Sequence, residues 1–125
     1  MEQIAIYLNV AFYLRMGVLA LVRPAALTGY CSSASPPADV RNETRAVYGG
    51  FGLAAAGLLV AAPQAETLRP GILLAVSVLM LGMGCCRLLS VGLERPEGIW
   101  PVVFLGVEFV LGGLFLYAWF VENAA

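Results

Sequence analysis

Residues 98–121 read GIWPVVFLGVEFVLGGLFLYAWFV, an apolar stretch in which Glu108 is the only charged residue. A membrane-spanning helix needs about 20 mostly apolar residues, and this stretch is long enough. Trp100 and Trp119 lie near its two ends, separated by about 28 Å if the stretch is helical, which is close to the thickness of the hydrocarbon layer. Because tryptophan prefers both membrane interfaces, the stretch predicts one complete crossing of a bilayer.

Three further stretches have the length and hydropathy of a membrane span: residues 4–22, 44–62 and 70–92. We therefore predict an all-α integral membrane protein, an antiparallel four-helix bundle that forms a single domain over residues 1–125. The second and third linkers are short, which favours antiparallel neighbours. The first linker is long, and Ser35 followed by Pro36 resembles a helix start, so the second helix is expected to begin near Pro36.

The composition excludes several classes of protein. The chain is 61% hydrophobic and 12% charged, whereas a soluble domain has about 25% charged residues. It contains no histidine, which excludes histidine-based metal sites, histidine-ligated haem and a histidine general base. The net charge of −1 argues against a nucleic-acid partner, which would need a basic patch. We predict no cofactor and no metal.

The three cysteines are Cys31, Cys85 and Cys86. Their spacing matches neither a metal site nor a C-x-x-C redox motif. We interpret them as small buried apolar thiols. A redox-active pair at Cys85 and Cys86, or an S-acylated Cys31, is the alternative.

The N-terminal stretch lacks a basic region before its apolar run, so we interpret it as a retained helix rather than a signal peptide.

The two ends of the predicted bundle differ in charge. Arg23, Arg41 and Arg95 follow the first and third spans, and Arg69 lies on the opposite side. The positive-inside rule then predicts that the loops after spans one and three are cytoplasmic and that both termini are outside.

Four charged residues fall inside or at the rim of the predicted spans: Arg15, Arg45, Arg87 and Glu108. A charge at the centre of a membrane helix costs about 2.5–3.5 kcal/mol on insertion scales. We call the side that carries the loops after spans one and three the loop side. Measured from there, Arg45 lies at the rim, and Arg87, Arg15 and Glu108 lie at depths of about 8, 12 and 15 Å. The spacing predicts a polar cluster between the helices, to which Tyr48 adds a hydroxyl.

The predicted cluster carries more positive than negative charge. Three arginines oppose Glu108, and Glu43 near the rim is a second candidate carboxylate. A surplus of buried positive charge favours an anion such as a lipid headgroup, a carboxylate, a phosphate or chloride. Two alternatives stay open: the charges only hold the bundle together, or a partner protein or lipid neutralises them from outside.

Small residues recur every four or seven positions on three of the predicted helices. Such stripes let membrane helices approach closely, so we interpret them as packing faces within the bundle, with a homodimer face as the alternative. They are Ala46, Gly50 and Ala54 in the second span, Gly82, Cys86 and Ser90 in the third, and Gly106 and Gly113 in the fourth.

Three motifs occur in order along the chain: N-E-x-R-x-x-Y-G-G at residues 42–50, R-L-L-S at residues 87–90, and the lone Glu108 in the last span. This order resembles an uncharacterised family of small bacterial four-helix membrane proteins, catalogued as a domain of unknown function and distantly similar to the DoxX-like proteins. The resemblance implies four helices in a bacterial inner membrane and selects Glu43, Arg45, Tyr48, Arg87 and Glu108. It implies no activity.

Three functions remain in competition. The first is binding or transport of a small polar or anionic molecule or a lipid headgroup by Arg15, Arg45, Arg87 and Glu108. The second is a structural, non-catalytic role as an accessory subunit of a membrane complex. The third is a quinone-linked redox component, for which no cofactor motif is visible. Ser90 lies one turn from Arg87, but no base is available to activate it, so we assign no catalytic residue.

Overall fold

The computed structural model describes residues 2–29, 36–96 and 98–123. Tyr30, Cys31 and Ser35, which the sequence places in the first linker, lie outside the described residues. The elements in chain order are α1 (Glu2–Val22), α2 (Pro24–Gly29), α3 (Ala38–Thr44), a π-helical turn (Arg45–Gly50), α4 (Phe51–Ala61), a 3₁₀ turn (Ala62–Gln64), α5 (Arg69–Leu93) and α6 (Trp100–Asn123).

Four helical segments are long and apolar enough to cross a membrane: Gln3–Val22, Ala38–Gln64, Arg69–Leu93 and Trp100–Val121. Each contains most of a span predicted from the sequence. The second is continuous from α3 through the π turn into α4, and it begins directly after Pro37. Proline is compatible with this position because the first helical residues need no N–H partner within the helix.

The π turn at Arg45–Gly50 changes which face the second long helix presents. A π turn takes up an extra residue, and such turns occur mostly as single bulges within α-helices, frequently at functional sites. Within this turn Gly49 is buried and faces Leu21 of α1, whereas a Cβ atom at Gly50 would meet no atom within 4 Å. The π turn therefore directs Gly49, not Gly50, towards α1.

α1 packs against the second long helix through two glycines. A Cβ atom at Gly52 would lie 3.0 Å from the backbone oxygen of Tyr13 and 3.2 Å from Cα of Gly17. Gly17 in turn faces Leu53. These distances leave no space for a side chain at Gly52, so the two backbones approach as closely as small residues allow.

α5 packs mainly against α6, and α1 also contacts α6. Ser77 of α5 donates a hydrogen bond of 2.9 Å to the backbone oxygen of Gly112. Closer to the C-terminus of α5, Gly84 faces Phe109 and the Cβ atom of Glu108. Contacts nearer the C-terminus of α5 are thus made with residues nearer the N-terminus of α6.

The interior between the long helices is mostly apolar, and the outer surface is apolar as well. The fully buried side chains include Leu59, Leu73, Met80 and Phe115. Large apolar side chains such as Leu93, which is 76% exposed, lie on the outside of the long helices. Soluble monomers rarely expose extended apolar patches, whereas a lipid-facing surface is apolar.

The interpretation of the small-residue stripes as packing faces within the bundle is wrong. Cβ atoms at Gly50, Gly82, Gly106 and Gly113 would meet no atom within 4 Å. Ala46, Ala54, Cys86 and Ser90 are exposed. Spacing shows that small residues share a face but not which face it is. The contacts are made instead by Gly17, Gly49, Gly52, Gly84 and Gly112.

The interpretation of the adjacent cysteines as buried is also wrong. Cys85 and Cys86 are both exposed on α5 and both are free thiols. They lie beside the buried Gly84, and consecutive residues on a helix point about 100° apart, so a three-residue run cannot all face the core.

Candidate functional site

An ion pair joins α5 to α6. Nε of Arg87 donates a hydrogen bond of 2.9 Å to Oε2 of Glu108, and Nη2 donates one of 2.6 Å to Oε1. This is the bidentate geometry in which a guanidinium matches a carboxylate. Gly84, one turn before Arg87, faces α6 at this level: a Cβ atom at Gly84 would lie 3.2 Å from the ring of Phe109 and 3.5 Å from Cβ of Glu108.

The two partners differ in exposure. The side chain of Glu108 is 4% exposed and that of Arg87 is 33% exposed. The guanidinium of Arg87 also lies over the ring of Phe104, at 5.6 Å from the ring centroid, in a cation–π arrangement. Phe104 lies one turn before Glu108 on α6. The ring and the carboxylate together fix the guanidinium, while part of Arg87 remains accessible.

A hydrogen bond from Arg45 connects the π turn to α1. Its Nε donates a hydrogen bond of 3.3 Å to the backbone oxygen of Leu21, in the last turn of α1. The last carbonyl groups of a helix have no partner within the helix, and a cation there interacts favourably with the helix dipole. Arg45 is otherwise exposed, and its described contact is with α1 rather than with Glu108.

The other residues singled out from the sequence lie on the outside. The side chains of Arg15, Glu43, Tyr48 and Ser90 are exposed. The structure therefore brings together Arg87 and Glu108 and places these four elsewhere. On α1, Tyr13 faces the core, and Arg15 two positions later points about 200° away from it.

Four buried residues with polar groups were missed by the sequence analysis: Asn9, Tyr13, Thr44 and Ser77. Asn9 is 0% exposed; its Nδ2 donates a hydrogen bond of 3.0 Å to the oxygen of Ala5, but its Oδ1 has no partner. The hydroxyl of Tyr13 is also buried without a partner. Asn9 and Tyr13 could have been found from the sequence, because an asparagine inside an apolar run is followed four positions later by a tyrosine, and this spacing places both on one helix face.

The arrangement offers charged and hydrogen-bonding groups rather than a metal-ligand set. Within the described ranges, no group of three or more His, Cys, Asp or Glu residues could hold a metal ion. Arg87 can bind an anion with a planar pair of donors, and Glu108 can accept hydrogen bonds or hold a proton.

The comparison with protein families gives one match. A family model described as a domain of unknown function, DUF4345, matches residues 1–119. The chain belongs to the DUF4345 family. This membership confirms the predicted resemblance to an uncharacterised domain family. No curated protein and no solved structure matches this DUF4345 protein significantly. The distant similarity to DoxX-like proteins stays a prediction.

Proposed function

We propose that this DUF4345 protein is an integral membrane protein, an antiparallel four-helix bundle with an anion-binding site at Arg87. The ligand is a small polar anion or the headgroup of an anionic lipid. The observation that carries the proposal is the asymmetric pair: a nearly buried carboxylate holds a guanidinium that is 33% exposed. Charged residues within a membrane are expensive, and those that persist mark functional sites or structural pairs.

The topology is supported by four apolar helices and by the order of their contacts. Contacts between α5 and α6 run in opposite directions along the two helices, from Ser77 with Gly112 to Gly84 with Phe109. Contacts between α1 and the second long helix do the same, from Gly17 with Leu53 to Leu21 with Gly49. Both patterns favour antiparallel neighbours.

The arginines are concentrated at one end: six of the seven belong to the loop-side half, together with five of the eight acidic residues. Arg15, Arg23, Arg45 and Arg95 are exposed and all belong to the loop-side half. By the positive-inside rule, the proposal places this end at the cytoplasmic face of a bacterial inner membrane and both termini outside.

Native mass spectrometry of the gently extracted protein tests the proposal. The wild type is expected to carry a bound anion or lipid of defined mass, and Arg87→Gln to lose it. Arg95→Gln is the matched control, because Arg95 is exposed near the end of α5. Should Arg87→Gln fail to fold, the double variant Arg87→Gln/Glu108→Gln removes both charges and leaves none unpaired. A wild type free of bound molecules, or a species equally abundant in all variants, would reject the site.

The accessory-subunit role is a second candidate, supported by the outward-facing small residues. The outer surface has open space beside four glycines: Gly50, Gly82, Gly106 and Gly113. Small residues of this kind let a helix of another membrane protein pack closely. Gly82→Leu and Gly106→Leu should then abolish co-purification of a defined partner and leave the melting temperature of the isolated chain unchanged. Isolation of the wild type as a stable monomer without partners would reject this role.

A further inference from the structure

In the part of the chain that the structure describes, two buried polar atoms on α1 have no hydrogen-bond partner: Oδ1 of Asn9 and the hydroxyl oxygen of Tyr13. Their side chains are on one face, and Asn9 and Tyr13 are 0% and 3% exposed. A buried polar group without a partner is costly, and such groups are rare in native proteins. A buried acceptor without a partner is a position that a hydrogen-bond donor can occupy in another state of the protein.

Glu108 is the group that can supply this donor. α1 packs against α6, and Tyr13 and Glu108 are both buried. Tyr13 lies about 14 Å from the C-terminal end of α1 and Glu108 about 12 Å from the start of α6, so the two side chains are at similar depth. In the described state, both carboxylate oxygens of Glu108 are occupied by Arg87.

Binding of an anion at Arg87 changes the charge of the site. The pair of Arg87 and Glu108 is neutral overall. An anion that takes the guanidinium leaves Glu108, which is 3% exposed, as an unpaired buried carboxylate. A buried ion without a partner is so unfavourable that the group neutralises instead. Uptake of one proton restores neutrality, because the guanidinium then pairs with the anion and the carboxyl group is uncharged.

We propose that Glu108 exchanges partners, so that binding of one anion at Arg87 is coupled to uptake of one proton by Glu108. The inference rests on the proposed anion site and adds its regulation and ligand class, a monoanion that presents two oxygens to a guanidinium, for which a phosphodiester serves as the probe. The proton comes from solvent and bonds to a carboxylate oxygen of Glu108. The new O–H then donates to the hydroxyl oxygen of Tyr13, which has no partner among the described residues. Oδ1 of Asn9 is the second acceptor on this face.

Few other titratable groups can account for the coupling. Among the described residues of the helices packed against α6, the titratable side chains at the level of Glu108 that are not exposed are Arg87 on α5 and Tyr13 on α1. The remaining titratable side chains at this level are exposed: Arg15 on α1, and Cys85 and Cys86 on α5.

Isothermal titration calorimetry in buffers with different ionisation enthalpies counts the protons taken up on binding. Two probes present the same phosphodiester: dimethyl phosphate added to the protein in neutral micelles, and phosphatidylglycerol in nanodiscs with phosphatidylcholine as the reference lipid. Whichever probe binds identifies the source, a free solute or a lipid headgroup. We expect about one proton per bound anion and an affinity that falls about tenfold per unit rise in pH.

Variants separate the roles of the side chains. Glu108→Gln should bind the anion with no proton uptake and no pH dependence of the affinity, because the amide is already neutral. Glu94→Gln is the control: Glu94 is exposed, so this variant should show the same affinity and the same proton uptake as the wild type. Tyr13→Phe should weaken binding about fivefold by removing the acceptor. Tyr117→Phe is its control, since Tyr117 is 57% exposed.

The outcomes distinguish this inference from the proposed function. Anion binding without proton uptake in the wild type would overturn the partner exchange and leave the anion site intact. Proton uptake that persists in Glu108→Gln would also overturn it, because another group would then be the acceptor. No binding of either probe would reject both.

Discussion

Replacement of Arg87 by lysine tests whether the bidentate geometry stabilises the fold. Lysine can keep one of the two hydrogen bonds to Glu108, and a lost charge-assisted bond costs about 1.5–3 kcal/mol. Because the Arg87 side chain is 33% exposed, water competes for it, and we reduce this cost to about 1–2 kcal/mol. The weaker contact with Phe104 adds about 0.5 kcal/mol. We expect a loss of about 2 kcal/mol in the free energy of unfolding, or about 6–8 °C in melting temperature for a chain of this length.

Thermal unfolding in detergent micelles, followed by tryptophan fluorescence, measures this effect. Arg95→Lys is the matched control, because Arg95 is exposed and the same substitution there should shift the melting temperature by less than about 1 °C. If Arg87→Lys melts within about 1 °C of the wild type, the second hydrogen bond does not stabilise the fold, and the reasoning from bidentate geometry fails.

Two further substitutions test the helix contacts. Gly52→Ala should destabilise the protein by about 1–3 kcal/mol, since its Cβ atom would lie 3.0 Å from a backbone oxygen of α1. Gly50→Ala is the control, because its Cβ atom meets open space and the substitution should be neutral or stabilising. Equal melting temperatures of the two variants would contradict the close approach of α1. Ser77→Ala should lower the free energy of unfolding by about 0.5–1.5 kcal/mol, because it removes the hydrogen bond to the backbone oxygen of Gly112. The exposed Ser90→Ala is the control and should have no effect in the same unfolding assay. A Ser77 variant as stable as the Ser90 variant would show that this hydrogen bond contributes nothing to stability.

The sequence predicted the helical segments, because length and hydropathy determine them, whereas the depth of the charges in a bilayer stays a prediction. It did not predict which way each side chain points. Arg15 has a suitable depth but lies on the exposed side of α1, about 200° from Tyr13. Rotation about the helix axis depends on which face is buried, and a helix that is apolar all round gives almost no signal for that face.

The second long helix shows the same limit more clearly. A four-residue spacing identified Ala46, Gly50 and Ala54 as one face, and the spacing assumes a regular α-helix. The π turn at Arg45–Gly50 interrupts that regularity. Gly49 and Gly52 make the contacts with α1 instead. Asn9 and Tyr13 could have been found from the sequence, because an asparagine inside an apolar span is unusual and the tyrosine lies one turn later.

The ion pair between α5 and α6 also has a consequence for the biogenesis of the protein. In a bilayer, either helix inserted alone would carry one uncompensated charge, at a cost of about 2.5–3.5 kcal/mol. Arg87 and Glu108 neutralise each other only when both helices are present. The linker between Leu93 and Trp100 is short enough for the two helices to leave the insertion machinery together. We therefore expect α5 and α6 to enter the membrane as one hairpin, in which each helix carries the counter-ion of the other.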